Sequence, residues 1–166
     1  VFGTHLQAGE AHQNVRDRQL GELRRFLSKS LGASKDTSRV GAVVLGDFNV
    51  VAESPSVGEG HLVPTSAYRA MLERLERPRD LFRLHHVAAP GYTFDGNLNT
   101  MTRRNEGERE RIDYVFGLDF VPSRFDETQP SELAPLECLE ATVESFKDGA
   151  SDLSDHYAVS VTLRPS

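Results

Sequence analysis

A single cysteine, Cys138, is all the thiol this sequence has. It cannot form an intrachain disulfide, and metal motifs built on paired cysteines are excluded. So little cysteine slightly favours a reducing, cytoplasmic setting. Long apolar runs are also missing. None approaches the roughly 20 residues of a membrane-spanning helix, and the opening stretch lacks the basic, apolar, small-residue order of a secretory leader. A basic excess is absent as well. With 19 Lys and Arg against 25 Asp and Glu, the formal net charge is -6. This argues against a protein that holds nucleic acid chiefly by charge. Arg24, Arg25, Lys29 and the run Arg103, Arg104, Arg109, Arg111 could still form a local patch. Glu106, Glu108 and Glu110 interleave with that run, so a solvated mixed-charge surface is the simpler expectation.

What is present fits one soluble domain over residues 1–166, with 38% apolar and 27% charged residues and enough length to bury a core. Val1 to Leu6 reads as a strand that begins abruptly, which leads to the expectation of further chain upstream. Asn14 is placed to cap a helix running to Leu31, with Leu20, Leu23, Phe26, Leu27 and Leu31 on its apolar face. Val40 to Leu45 suits a central strand buried on both faces. Residues 52–64 read as loop. Pro64 to Arg77 reads as a second helix with Tyr68, Met71, Leu72 and Leu75 inward, stopped by Pro78. Residues 79–110 look mostly irregular apart from a strand fragment at Tyr92-Thr93-Phe94. Ile112–Phe116 reads as a strand, 120–135 as loop, and Leu136–Phe146 as a strand with Leu139, Ala141 and Val143 on one face. Residues 147–154 look turn-rich, before a last strand at Tyr157–Leu163. Mixed strands with two helices indicate an α/β or α+β layered domain.

The strongest chemical signal is Gly46-Asp47-Phe48-Asn49. A buried strand delivers a carboxylate and an amide two residues apart, on one face if the chain stays extended. The carboxylate can ligate a hard cation or orient water, and the amide can donate to a phosphate oxygen. A plain Asx turn would produce the same residues. Ser154-Asp155-His156 likewise meets the start of an apolar strand, where it can combine a cation ligand with a general acid or a phosphate-stabilising imidazolium. His5 ends the first strand and can donate to a phosphate oxygen. Asp113 puts a carboxylate inside an apolar strand, where it needs a partner, and His156 is the obvious candidate. Asn97 and Asn99 read as loop-forming, with a substrate contact from one of them left open. Arg16 and Gln19 suit structural bonds to the adjacent loop. His85-His86 diverge as neighbours and make a poor metal pair.

Taken in order, Thr4-His5, Gly46-Asp47-Phe48-Asn49, Ile112-Asp113-Tyr114 and Ser154-Asp155-His156 resemble the endonuclease/exonuclease/phosphatase superfamily. Gly3-Thr4-His5-Leu6-Gln7-Ala8, Tyr92-Thr93-Phe94-Asp95 and Leu153-Ser154-Asp155-His156-Tyr157 are most similar to the neutral sphingomyelinases. The resemblance implies a Mg²⁺-dependent phosphodiester hydrolase, with Mn²⁺ or another divalent cation as the alternative. Asp47 would bind or orient water, Asn49 and His5 would support phosphate, His156 would assist catalysis, and Asp113 would hold His156. Asp47, Asn49, Asp155 and His156 would lie at the metal. A phosphodiester of sphingolipid type is expected over nucleic acid, with a nuclease or a silent binding module as alternatives. The resemblance spans only the C-terminal half of a family domain, that is, half of a four-layer sandwich: one mostly antiparallel mixed sheet with flanking helices. The glutamate that anchors the family's metal would precede Val1. An exposed inner sheet face would then be covered by a complementary half or by a second copy, and peripheral membrane contact would be compatible with a lipid substrate.

Overall fold

Apolar residues that alternate along two strands decide the architecture. A computed structural model describes residues 1–32, 41–55, 61–119 and 136–165. In chain order the elements are β1 (Phe2–His5), a 3₁₀ turn (Glu10–His12), α1 (Gln13–Gly32), β2 (Ala42–Asp47), β3 (Glu53–Pro55), β4 (Leu62–Pro64), α2 (Ser66–Arg74), β5 (Arg79–Asp80) and α3 (Leu81–His85). They continue with β6 (Phe94–Asp95), β7 (Arg109–Glu110), β8 (Asp113–Leu118), β9 (Leu136–Glu144), β10 (Lys147–Asp148), β11 (Ser151–Asp152) and β12 (Ala158–Pro165).

The central sheet is four-stranded in the order β1-β2-β8-β5. β1 and β2 are parallel, while β2–β8 and β8–β5 are antiparallel, as the expected mixed α/β sheet requires. Ala42 and Val44 of β2 and Phe116 and Leu118 of β8 face one side, against Leu20, Leu23, Leu27 and Leu31 of α1 and Tyr68 and Met71 of α2. Each buried Leu, Val, Phe or Met among them contributes ~1.5–3 kcal/mol. Val43 and Val115 face the other side and meet Leu81 of α3 together with Leu136, Cys138, Val159, Val161 and Leu163 of the β9–β12 pair. This strand pair therefore covers part of the face expected to be bare. Leu45, next along that face, stays 38% exposed.

Several local expectations are corrected. Helix α1 is entered from the 3₁₀ turn and already includes Gln13, so Asn14 is not its cap. Phe26 is 57% exposed and packs edge-on against Phe2 instead of entering the core. The 52–64 stretch contains the β3–β4 hairpin, and 79–110 contains β5 and α3. Helix α2 starts where Thr65 Oγ1 accepts from Tyr68 N. It ends before Pro78, where Glu76 and Arg77 adopt left-handed backbone. In β9 the register shifts opposite Thr162/Leu163. One extra residue flips the side-chain phase, so Leu136 and Cys138 share the inner side with Ala141 while Leu139 is 44% exposed. The loop expected at 120–135 lies outside the described residues.

Candidate active site

Strand register brings the motif residues together. His5 is paired with Asp47 across β1–β2, and Asp47 with Asp113 across β2–β8. The three form one row across the end of the sheet. Like charges directly opposite each other on a ladder are destabilising, so a row with two carboxylates points to use. Gly46 is required by this packing: its φ is +138°, and a Cβ would meet the Thr4 carbonyl oxygen at 1.9 Å. It is the neighbouring strand's backbone that approaches this glycine so closely.

Beyond Asp47 the chain leaves the strand. Phe48 is fully buried, and Asn49 turns with φ +50°, a conformation asparagine tolerates. Asn49 N donates to Asp47 Oδ1 at 2.7 Å, and Asn49 Nδ2 donates to Leu6 O at 2.9 Å. It is the turn, not strand alternation, that keeps Asn49 beside Asp47. His5 Nε2 stands 3.4 Å from Asp47 Oδ2, its side chain 72% exposed.

His156 arrives from the opposite direction, on the loop before β12. Its Nδ1 lies 2.8 Å from Asp113 Oδ2. A carboxylate only accepts, so Nδ1 is the donor. This is the pairing expected from the sequence. That hydrogen bond, together with the charges of Asp113, Asp47 and Asp155, raises the His156 pKa above its ordinary value despite burial. Burial, aided by the neighbouring charge of Asp113, raises the Asp47 pKa, against the Asn49 N–H, His156 and His5.

Asp47, Asp113 and His156 each offer a ligand atom, all within 4.8 Å of one another. Two carboxylates and an imidazole suit a divalent cation such as Mg²⁺ or Mn²⁺, so the residues fit one. Asp113 joins this group although the sequence suggested only a supporting role. Asp155 is exposed and outside it.

The remaining sequence candidates are structural. Arg16 donates to Gln7 O and Gly9 O, and Gln19 Oε1 accepts from Gln7 N. Asn97 Oδ1 accepts from Gly107 N, and Asn99 is 1% exposed. His85 and His86 meet the carbonyls of Cys138 and Ala141. Arg111 is buried between Glu53 and Asp80, and Arg109 bonds Asp95, so half of the basic run is consumed while Arg103 and Arg104 stay exposed. A cavity of about 520 Å³ adjoins Asn49, with Glu10, Glu108, Glu110 and Arg16 in its wall. Burial and the charges of Glu108 and Glu10 raise the Glu110 pKa there. The sequence reading overlooked Thr93, fully buried beside the site; its place in the Tyr92-Thr93-Phe94 fragment was the only signal.

No family model matches the chain. Over 106 residues, 62% of the chain, it is 33% identical to an uncharacterized protein of Dictyostelium discoideum, of which the match spans 9%. Among solved structures, beta toxin of Staphylococcus aureus in a mutant form with bound magnesium ions covers 96% of the chain at TM-score 0.54 and 22% identity. TDP2 of Caenorhabditis elegans covers 95% at TM-score 0.56 and 16% identity. SmcL covers 94% at TM-score 0.52 and 21% identity. The chain has the endonuclease/exonuclease/phosphatase type of fold. It spans 51% of the beta toxin chain, 39% of TDP2 and 50% of SmcL.

Proposed function

We propose that this chain carries the water-orienting and histidine side of a metal-dependent phosphodiesterase centre, which in the intact protein cleaves a sphingomyelin-type lipid. The observation that carries the reading is the row His5, Asp47, Asp113 meeting His156 at one end of the sheet. The structural neighbours include a neutral sphingomyelinase and a phosphodiesterase, which supports the same class. A divalent cation held by Asp47 with help from Asn49 and Asp113 would supply charge neutralisation and a more acidic bound water. Asp47 orients the attacking water and takes its proton as the new O–P bond forms. His5 and Asn49 donate to the non-bridging oxygens. His156, whose pKa is raised by the hydrogen bond to Asp113, gives its proton to the departing alcohol as the old P–O bond breaks. Its raised pKa favours this role over that of metal ligand.

Two features favour a lipid over nucleic acid. The acidic cavity beside Asn49 would repel a second phosphate. Leu98, Met101, Phe146 and Leu153 are exposed on the loops beside His156, with Arg103, Arg104 and Lys147 exposed among them. Apolar tips among basic residues suit peripheral contact with a bilayer. Among the described residues no helix is long and apolar enough to cross a membrane. We take the centre to be completed by a segment outside this sequence that supplies the expected glutamate and packs on the face around Leu45, or by a second copy of the chain on that face.

The test compares sphingomyelin with single-stranded and abasic DNA at fixed Mg²⁺, using the intact protein. Sphingomyelin turnover that is lost in Asp47→Ala supports the reading. DNA cleavage alone transfers it to a nuclease, and activity retained in Asp47→Ala removes Asp47 from the mechanism. The 166-residue chain alone is expected to hydrolyse bis(p-nitrophenyl) phosphate little or not at all. Clear turnover there would contradict completion from outside.

A further inference from the structure

Segment 93–100 bonds to both partners of the Asp113–His156 pair. Thr93 Oγ1 accepts from Ile112 N and Asp113 N, each at 3.1 Å. The Thr93 carbonyl accepts from Tyr157 N at 2.7 Å. One buried residue thus fixes the backbone at Asp113 and the backbone beside His156. Phe94 forms a β-bridge with His156, and their rings meet edge to face at 5.5 Å. Farther along, Asn99 Nδ2 donates to Ser154 O at 2.9 Å, while Asn99 Oδ1 accepts from Met101 N. Thr100 N donates to Asp152 Oδ2 at 2.9 Å, and Thr100 Oγ1 accepts from Asp152 N at 2.8 Å.

We propose that Thr93 and Asn99 are positioning residues that hold the His156 imidazole on Asp113. The inference rests on the function proposed above for its meaning in catalysis, though its geometry does not. A loop on its own leaves a histidine free to move, and His156 sits on a loop. The sheet fixes Asp113 but not the histidine. Thr93 supplies the missing link because its side chain and its carbonyl act on different partners. Asn99 extends the link to Ser154, two residues before the histidine. An error of about 1 Å in such a pair can cost on the order of a hundredfold in rate.

The experiment follows the downfield Nδ1–H proton resonance of His156 by NMR in the 166-residue chain, which needs no turnover. Thr93→Val removes the Oγ1 hydroxyl while keeping the side-chain shape, and Asn99→Asp removes the amide donor and turns a carboxylate oxygen toward the Ser154 carbonyl. Both are expected to weaken or abolish the resonance in a folded chain, and Thr93→Ser is expected to restore it. Should Thr93→Val fail to fold, the decision passes to Asn99→Asp and to Thr100→Val at the half-buried end of the segment. In the hydrolysing protein the same variants should lower kcat by roughly tenfold or more with KM nearly unchanged. An unshifted, full-intensity resonance in folded Asn99→Asp and Thr100→Val overturns the inference. Loss of the resonance in a protein without phosphodiesterase activity would leave the positioning role standing and sink only the functional reading.

Discussion

Two clusters of ionisable side chains meet at the start of β8, and they are built in opposite ways. Arg111, 2% exposed, bonds Glu53 at 2.8 Å and Asp80 at 2.7 Å. Arg83 reaches Glu53 at 2.8 Å, and Tyr68 donates to Asp80 at 2.6 Å. The Arg111 guanidinium lies 4.9 Å over the Tyr114 ring. Arginines and acids balance. Burial pushes the Glu53 carboxyl up, yet hydrogen bonds from Arg83 and Arg111 hold it below its ordinary value. Burial pushes Arg111 down, and the Glu53 hydrogen bond with the charge of Asp80 holds it above. Two residues on, Asp113 begins the other cluster, where among the described residues Asp47 and Asp113 meet His156 and an exposed His5. There the Asp47 carboxyl is pushed up by burial and by Asp113. A closed network satisfies its own charges and holds the fold. An open one is left able to take up a cation or a phosphate, and pKa shifts of that kind are often found at functional sites.

Single substitutions separate the two. Replacing Asp47 by Asn should lower turnover by roughly 10²–10⁴-fold. It should leave the melting temperature unchanged or higher, because a partly buried, repelled charge is removed while an acceptor for Asn49 N remains. Replacing Arg111 by Ala should do the reverse. It leaves Asp80 without its arginine and Glu53 with Arg83 alone, at a cost of about 3–5 kcal/mol in denaturant unfolding. A stable Arg111→Ala protein, or an unstable Asp47→Asn protein, would erase the distinction.

A smaller effect is expected in pH dependence. The folded-state pKa of His156 is raised, so the stability of its pair with Asp113 is fully present below the ordinary value of 6.5. It is lost as pH rises through the raised value. The gap in melting temperature between the natural chain and Asp113→Asn should therefore shrink from pH 6 toward alkaline pH. Glu53 carries the opposite sign. Its stabilisation is present above 4.5 and is lost as pH falls through its lowered value, so the gap to Glu53→Gln should shrink only in acid. Two gaps with the same pH trend would contradict the comparison.

Much of the open cluster was legible in the sequence because its residues announce themselves. Asp47 ends an apolar run, Asp113 interrupts one, and His156 precedes one. The closed cluster was not legible. Glu53 and Asp80 lie in two separate short strands and Arg111 between two others, and no local pattern links that arginine to acids 58 and 31 residues away. The same limit hid α3 and β5, too short for periodicity to register. It also hid the bulge in β9, where one extra residue moved Leu139 outward. Phe26 failed for another reason. Its helical spacing is right, but it lies at the rim of the face, where Phe2 meets it only edge-on.

The central claim is that the open cluster, and not the closed one, is the metal and phosphate centre. Line broadening by Mn²⁺ in NMR spectra of the 166-residue chain tests it most directly, because broadening reports even weak binding by position. The account predicts broadening strongest at His5, Asp47, Asp113 and His156, displaced by Mg²⁺ and abolished by Asp47→Asn, and weakening with distance toward Arg111, Glu53 and Asp80. Broadening that centres on Glu53 and Asp80, or that spreads evenly over the acidic surface and persists in Asp47→Asn, would contradict it.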